Sequence, residues 1–116
     1  TEKKLKKTVG KITTDSTPPE APKNPDDSLI FDLYKFFGTD KEILDFKDWY
    51  QKGISWGEAK MELFRVVNQK LKGPREIYND LINNPQKIDK ILEEGKARVK
   101  PRASKFLSEI KKTIGL

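Results

Sequence analysis

The chain contains no cysteine and no histidine. Without cysteine there is no disulfide, no thiolate metal site and no cysteine nucleophile. Without histidine, the usual general base and the commonest zinc ligand are gone. No apolar run approaches the roughly 20 residues of a bilayer span, and no signal peptide is visible, so no membrane partner is expected. Metal ligands would have to be carboxylates alone, and none lies in a loop of calcium-binding spacing. Pairs such as Asp45/Asp48 and Glu93/Glu94 fall on helix surfaces among lysines and read as solvated ion-pair partners rather than acid–base dyads. The glycines are scattered as helix ends and contact points and form no phosphate loop. A self-contained enzyme is therefore disfavoured, and a reducing, intracellular setting is expected.

What is present is charge and a modest set of aromatics. The 116 residues suffice for one small domain. At 34% hydrophobic and 36% charged the chain is lean, yet six Phe, three Tyr and two Trp argue against disorder. The net charge of +6 is unevenly spread. Residues 1–12 carry five Lys against one Glu, and residues 95–116 carry seven Lys/Arg against one Glu, whereas the middle is net acidic. Basic segments favour phosphate backbones through counterion release, although Lys-rich ends are as often merely solvated. The chain starts at Thr1 rather than Met, which suggests a piece of something longer.

The pattern along the chain is helical, and an all-α fold is expected: a helical bundle preceded by a Pro-rich strap and a short basic helix. Leu5, Val9 and Ile12 give residues 1–12 an amphipathic helical spacing. Residues 13–27 hold Pro18, Pro19, Pro22 and Pro25 and read as an extended linker. From residue 28 to 116 one helical domain is expected. Asp27 or Ser28 caps a helix whose apolar residues, Leu29 to Phe37, cover nearly the whole circumference and predict a buried centre. Thr39 and Glu42 form a capping box, and Gly53 followed by Ile54 predicts a Schellman ending. Ser55 and Glu58 open the next helix, so Gly53–Gly57 is a corner between two helices. Gly73–Pro74 should kink or restart that helix. Asn84 and Pro85 start a last long helix, with a stripe through Ile88, Leu92, Gly95, Val99, Ala103, Phe106, Ile110 and Ile114. Arg98, Lys105 and Lys112 lie opposite the stripe, with Arg102 at its flank. The predicted core centres on Leu33, Phe37, Phe46, Leu63, Val67 and Phe106.

The functional candidates are basic: Lys52 and Lys60 flanking the corner, Arg65 beyond it, and Arg98, Arg102 and Lys105 on the last helix. The plain alternative for each is a solvated helix face. Trp56 is the best candidate to stack on an unpaired base, and packing under the corner is its equally good alternative.

The ordered segments "KKTVGKITTDS", "FDLYKFF", "YQKGISWGEAK", "GPREIYNDL", "IDKILEEGKARV" and a "GL" ending resemble the C-terminal part of bacterial tryptophanyl-tRNA synthetases, over essentially the whole chain. In that family a Rossmann catalytic domain with HIGH-type and KMSKS-type signatures activates tryptophan with ATP and Mg, and the helical region beyond it binds the tRNA anticodon. Neither signature occurs here. The resemblance implies tRNA(Trp) and the catalytic domain of the same parent chain as partners, a homodimeric cytoplasmic parent, and no cofactor in this segment. It makes Lys60, in "GEAK", the leading anticodon-region contact. Some family members carry an iron–sulfur cluster; Ser28, Trp56 and Ala59 align with three of its cysteines, so a cluster is excluded. Pro101 departs from the family pattern of an unbroken last helix. The alternative to this reading is a free-standing helical RNA- or protein-binding module. Lacking every catalytic signature, the purified chain should show no tryptophan-dependent ATP–pyrophosphate exchange above background; measurable exchange would overturn this expectation.

Overall fold

A computed structural model describes all residues, Thr1–Leu116. It contains five helices and no strand: α1 Glu2–Gly10, α2 Leu29–Phe37, α3 Asp40–Lys52, α4 Trp56–Asn83 and α5 Pro85–Thr113, with one 3-10 turn at Pro25–Asp27. No helix is long and apolar enough to cross a membrane. The chain divides into two compact units, Thr1–Pro74 and Arg75–Leu116. The first thus includes α1 and the proline strap together with α2, α3 and most of α4.

Local chemistry sets the helix ends of the first unit. Ser28 caps α2 by accepting from the Phe31 N–H. The Thr39–Glu42 box is complete at α3, and Ser55 and Glu58 bond reciprocally at the start of α4 (Ser55 N–H to Glu58 at 3.0 Å, Glu58 N–H to Ser55 at 3.1 Å). Each box satisfies amide donors that a helix start leaves without intrahelical partners. Gly53 ends α3 at φ 96°, ψ 120°. That ψ extends the backbone instead of wrapping it round as a Schellman ending requires. The glycine is needed twice over, because a Cβ there would lie 2.6 Å from the Glu20 carbonyl oxygen of the strap.

The core of the first unit joins Val9 of α1, Ile30, Phe31 and Tyr34 of α2, Phe46 and Tyr50 of α3, Ile54, and Ala59, Leu63, Val66 and Val67 of α4. Phe46 sits at its centre, with ring centroids 4.3 Å from Tyr34, 5.1 Å from Tyr50 and 5.9 Å from Phe31. Of the predicted core, Phe46, Leu63 and Val67 are buried, and Leu33 and Phe37 pack partly buried against it. Phe106 is not core: it is 64% exposed. Nor is α2 buried all round, since Leu29 and Phe36 face solvent. A nine-residue helix packed from one side turns the rest of its circumference outward whatever residues occupy it.

In the second unit, Asn84 and Pro85 start α5 as the sequence predicts, but the Asn84 side chain donates to the Asp80 carbonyl and carboxylate rather than capping α5. None of the α5 residues is buried, and the predicted stripe through Ile88, Leu92, Val99, Phe106, Ile110 and Ile114 is exposed. The expected interruption at Gly73–Pro74 does not restart the helix; α4 continues through Pro74, and α5 through Pro101. One missing backbone donor is outweighed by the continuing ladder on either side. Phe46→Ala should cost roughly 3–5 kcal/mol, a large part of the about 5–15 kcal/mol available to a small domain. Phe106→Ala should stay within about 0.5 kcal/mol. Urea unfolding of the two variants checks the contrast, and equal losses would contradict the burial pattern.

Candidate nucleic-acid interface

The candidate residues fall into the two units. Three belong to the first. Lys52, in the last turn of α3, is exposed and pairs with Asp48 one turn earlier. Lys60, in the second turn of α4, is partly buried, and its ammonium donates to the Gly10 carbonyl at the end of α1 (3.3 Å). Both cations therefore have a protein partner, although Lys52 stays accessible.

Arg65 is more deeply committed. Its guanidinium grips Glu62 with two bonds (Nε to Oε2 at 2.9 Å, an η nitrogen to Oε1 at 2.6 Å), reaches Glu42 of α3 at 3.2 Å and donates to Gln69 at 3.3 Å. Tyr34, buried on α2, donates its hydroxyl to the same Glu62 carboxylate (3.1 Å). The cluster ties α2, α3 and α4 together. Hydrogen bonds from Arg65, then from Tyr34, hold the Glu62 carboxyl below the usual range, and the paired carboxylates raise Arg65 further. Burial, reinforced by Glu62, pushes the Tyr34 phenol up. Glu42 is lowered chiefly by the Thr39 N–H and hydroxyl of its capping box, then by Arg65.

The other three lie on α5. Arg98, Arg102 and Lys105 are exposed, and no carboxylate pairs with any of them. Ion pairs in this unit include Lys87–Asp80 at 2.7 Å and Lys96–Glu93 at 3.8 Å. Seven-residue spacing leaves Arg98 and Lys105 within about 20° of one line along the helix. Arg102 and Lys105 also border a shallow hollow lined by Val99, Ala103, Phe106 and the acidic Glu109. These cations are free to meet a polyanion, whereas Arg65 holds helices.

Trp56 opens α4 at the corner, partly buried against the core. Its indole N–H donates to Asp15 (3.0 Å) and its ring meets Tyr50 edge-on at 6.0 Å. Sequence reasoning missed two of its companions. Asp15, here a partner of Trp56, carried no local signal, and Lys23 was one lysine among many. Lys23 is 7% exposed, with its ammonium 5.4 Å from the Trp56 ring. Ser28, opposite, shares a 2.8 Å hydrogen bond with the Tyr50 hydroxyl, and Ala59 is buried. The residues form no phosphate cradle: Gly10, Gly73 and Gly95 lie within helices with open space around them. No cluster of acidic side chains is placed to hold a metal ion.

The architecture is that of a wholly helical segment with an aromatic core in its first unit and a last helix rich in exposed basic side chains. No family model matches the chain. It is 37% identical to the tryptophan–tRNA ligase of Neisseria meningitidis serogroup A over 115 residues, 99% of this chain and 34% of that protein. The enzyme of the same name from Pseudomonas aeruginosa is 37% identical over 114 residues, 98% of this chain and 25% of its own length. The crystal structure of tryptophanyl-tRNA synthetase from Campylobacter jejuni, complexed with ADP and tryptophan, superposes with a TM-score of 0.95 at 34% identity, covering 100% of this chain and 37% of that one. The chain is a homologue of one part of the tryptophan–tRNA ligases, spanning a quarter to a third of the length of these relatives.

Because Glu62 is held below its unfolded value of about 4.3, its contribution to stability is present above that value and lost as pH falls through the folded one. Glu62→Gln should cost about 0.5–1.5 kcal/mol at pH 7, a figure kept small by the half-exposed Arg65. The difference from the parent chain should shrink progressively below about pH 4. Thermal melts across pH 2.5–7 read it; a constant difference would show that the carboxylate charge contributes nothing.

Proposed function

We propose that the chain is the tRNA anticodon-binding helical part of a tryptophan–tRNA ligase. The parent enzyme attaches tryptophan to tRNA(Trp), and its ATP and Mg are bound by a catalytic domain of the same polypeptide, in a cytoplasmic homodimer. The single observation that supports this reading best is the agreement in sequence and fold over the whole chain with synthetases about three times its length. In this division residues 1–12 follow the catalytic domain, 13–27 are the linker and 28–116 carry the anticodon-binding surface.

The six basic candidates, three in each unit, take unequal parts. Arg98, Arg102 and Lys105, without acidic partners, supply phosphate contacts. In the first unit, Lys52 at the corner is a further phosphate contact. Lys60 is the base-region contact and has to share its ammonium with the Gly10 carbonyl. Arg65 shapes the surface through Glu62 and Glu42 and offers at most one outward N–H. Phosphate contacts position RNA without reading it, whereas base contacts specify it.

The test titrates a tRNA(Trp) anticodon stem-loop and a scrambled loop at several salt concentrations. The double change Arg98→Ala, Lys105→Ala should weaken both RNAs alike and lower the slope of log affinity against log salt by roughly 1.4–1.8. Lys60→Ala should cost affinity mainly for the cognate loop. Unchanged affinity and slope in the double variant would reduce that face of α5 to a solvated surface, and equal binding of both RNAs by the parent chain would remove the anticodon reading.

A further inference from the structure

The segment Thr13–Asp27 has a linker's composition but is held as part of the first unit. Its Lys23 is among the least exposed lysines a surface strap could carry. The ammonium donates to the carbonyls of Pro18 (2.8 Å), Ala21 (3.1 Å) and Pro19 (3.4 Å) and lies over the Trp56 ring. Three acceptors use all three donors of an ammonium. They compensate for removing the charge from water, which is unfavourable when a partner is lacking. The backbone N–H of Lys23 donates to the Tyr50 carbonyl at the end of α3 (2.8 Å). Trp56 in turn is tied to Asp15, whose carboxylate also accepts from the Thr17 N–H at 2.8 Å. Between these two ties the strap backbone crosses Gly53 so closely that no Cβ would fit. At the strap's other side, Lys60 holds the end of α1 and Asn68 bonds Glu2 (2.8 Å).

We infer that Lys23, through its carbonyl cage and Trp56, is a latch that makes the proline strap a rigid strut. The strut joins α1 to the α3–α4 corner without a hinge between them. The prolines cooperate with the latch: they restrict the unfolded strap and lack the N–H groups that would otherwise compete for its carbonyls. Motion of a polypeptide joined ahead of α1 is thereby transmitted to the corner instead of being absorbed in the strap. Only this last consequence rests on the functional reading above; the latch itself does not.

The experiment is hydrogen exchange on the whole chain, with Lys23→Met keeping the apolar stem and removing the charge. The Lys23 and Ala21 amides, bonded to Tyr50 and Pro18, should exchange about tenfold faster or more, and the Leu63 and Val67 amides should keep their parental rates, as expected for local opening. In a Trp49→Phe background, the remaining Trp56 emission should shift to the red. Unchanged strap protection would overturn the latch, as would an equal acceleration at every amide, which would make Lys23 an ordinary contributor to global stability. If Lys23→Met does not fold, exchange of the unmodified chain decides: the latch requires the Lys23 and Ala21 amides to be protected, and exchange there at unprotected rates overturns it. No RNA enters the measurement, so the result is independent of whether the chain binds one.

Discussion

Tyr50 is where the parts of the first unit meet. It is wholly buried, and each of its groups serves a different element. Its ring packs at 5.6 Å from Phe31 of α2, 5.1 Å from Phe46 of its own helix and 6.0 Å from Trp56 of α4. Its hydroxyl shares a hydrogen bond with Ser28, the residue that caps α2, and its carbonyl accepts from Lys23 of the strap. Burial raises the phenol above its ordinary range, and either oxygen of the Ser28–Tyr50 pair can donate the shared proton. A buried tyrosine is tolerated when its polar end has a partner, and Ser28 supplies one while also starting a helix. Helix capping, strap docking and core packing therefore meet at a single residue, two through its side chain and one through its main-chain carbonyl.

Around that centre the charged residues divide by what they are bound to. Arg65 is held by carboxylates on two helices and Lys23 by main-chain carbonyls; each stabilises the fold. Arg98, Arg102 and Lys105 face water without acidic partners, although their residue types are the same. Net charge alone ranks these cations equally. Their partners separate those free to meet a polyanion from those already occupied, and this is why the proposed RNA contacts concentrate on α5.

The sequence by itself determined the local features. The two capping boxes, a cap at Asp27 or Ser28, the proline at the start of α5 and the all-α class follow from residues within four positions of each other, where helix geometry fixes who can meet whom; the structure chose Ser28. The resemblance carried by six ordered segments was likewise complete in one dimension. Burial was legible only in part. Phe46, Leu63 and Val67 were expected in the core, but Phe106 has the same helical spacing and is exposed, because a stripe says which face is apolar and not whether anything covers it. Only the tertiary structure decided that Arg65 serves Glu42, 23 positions away, that Trp56 meets Asp15 across 41, and that the strap lies against Gly53. Such pairings depend on how the chain folds back on itself, and no spacing along the sequence records it.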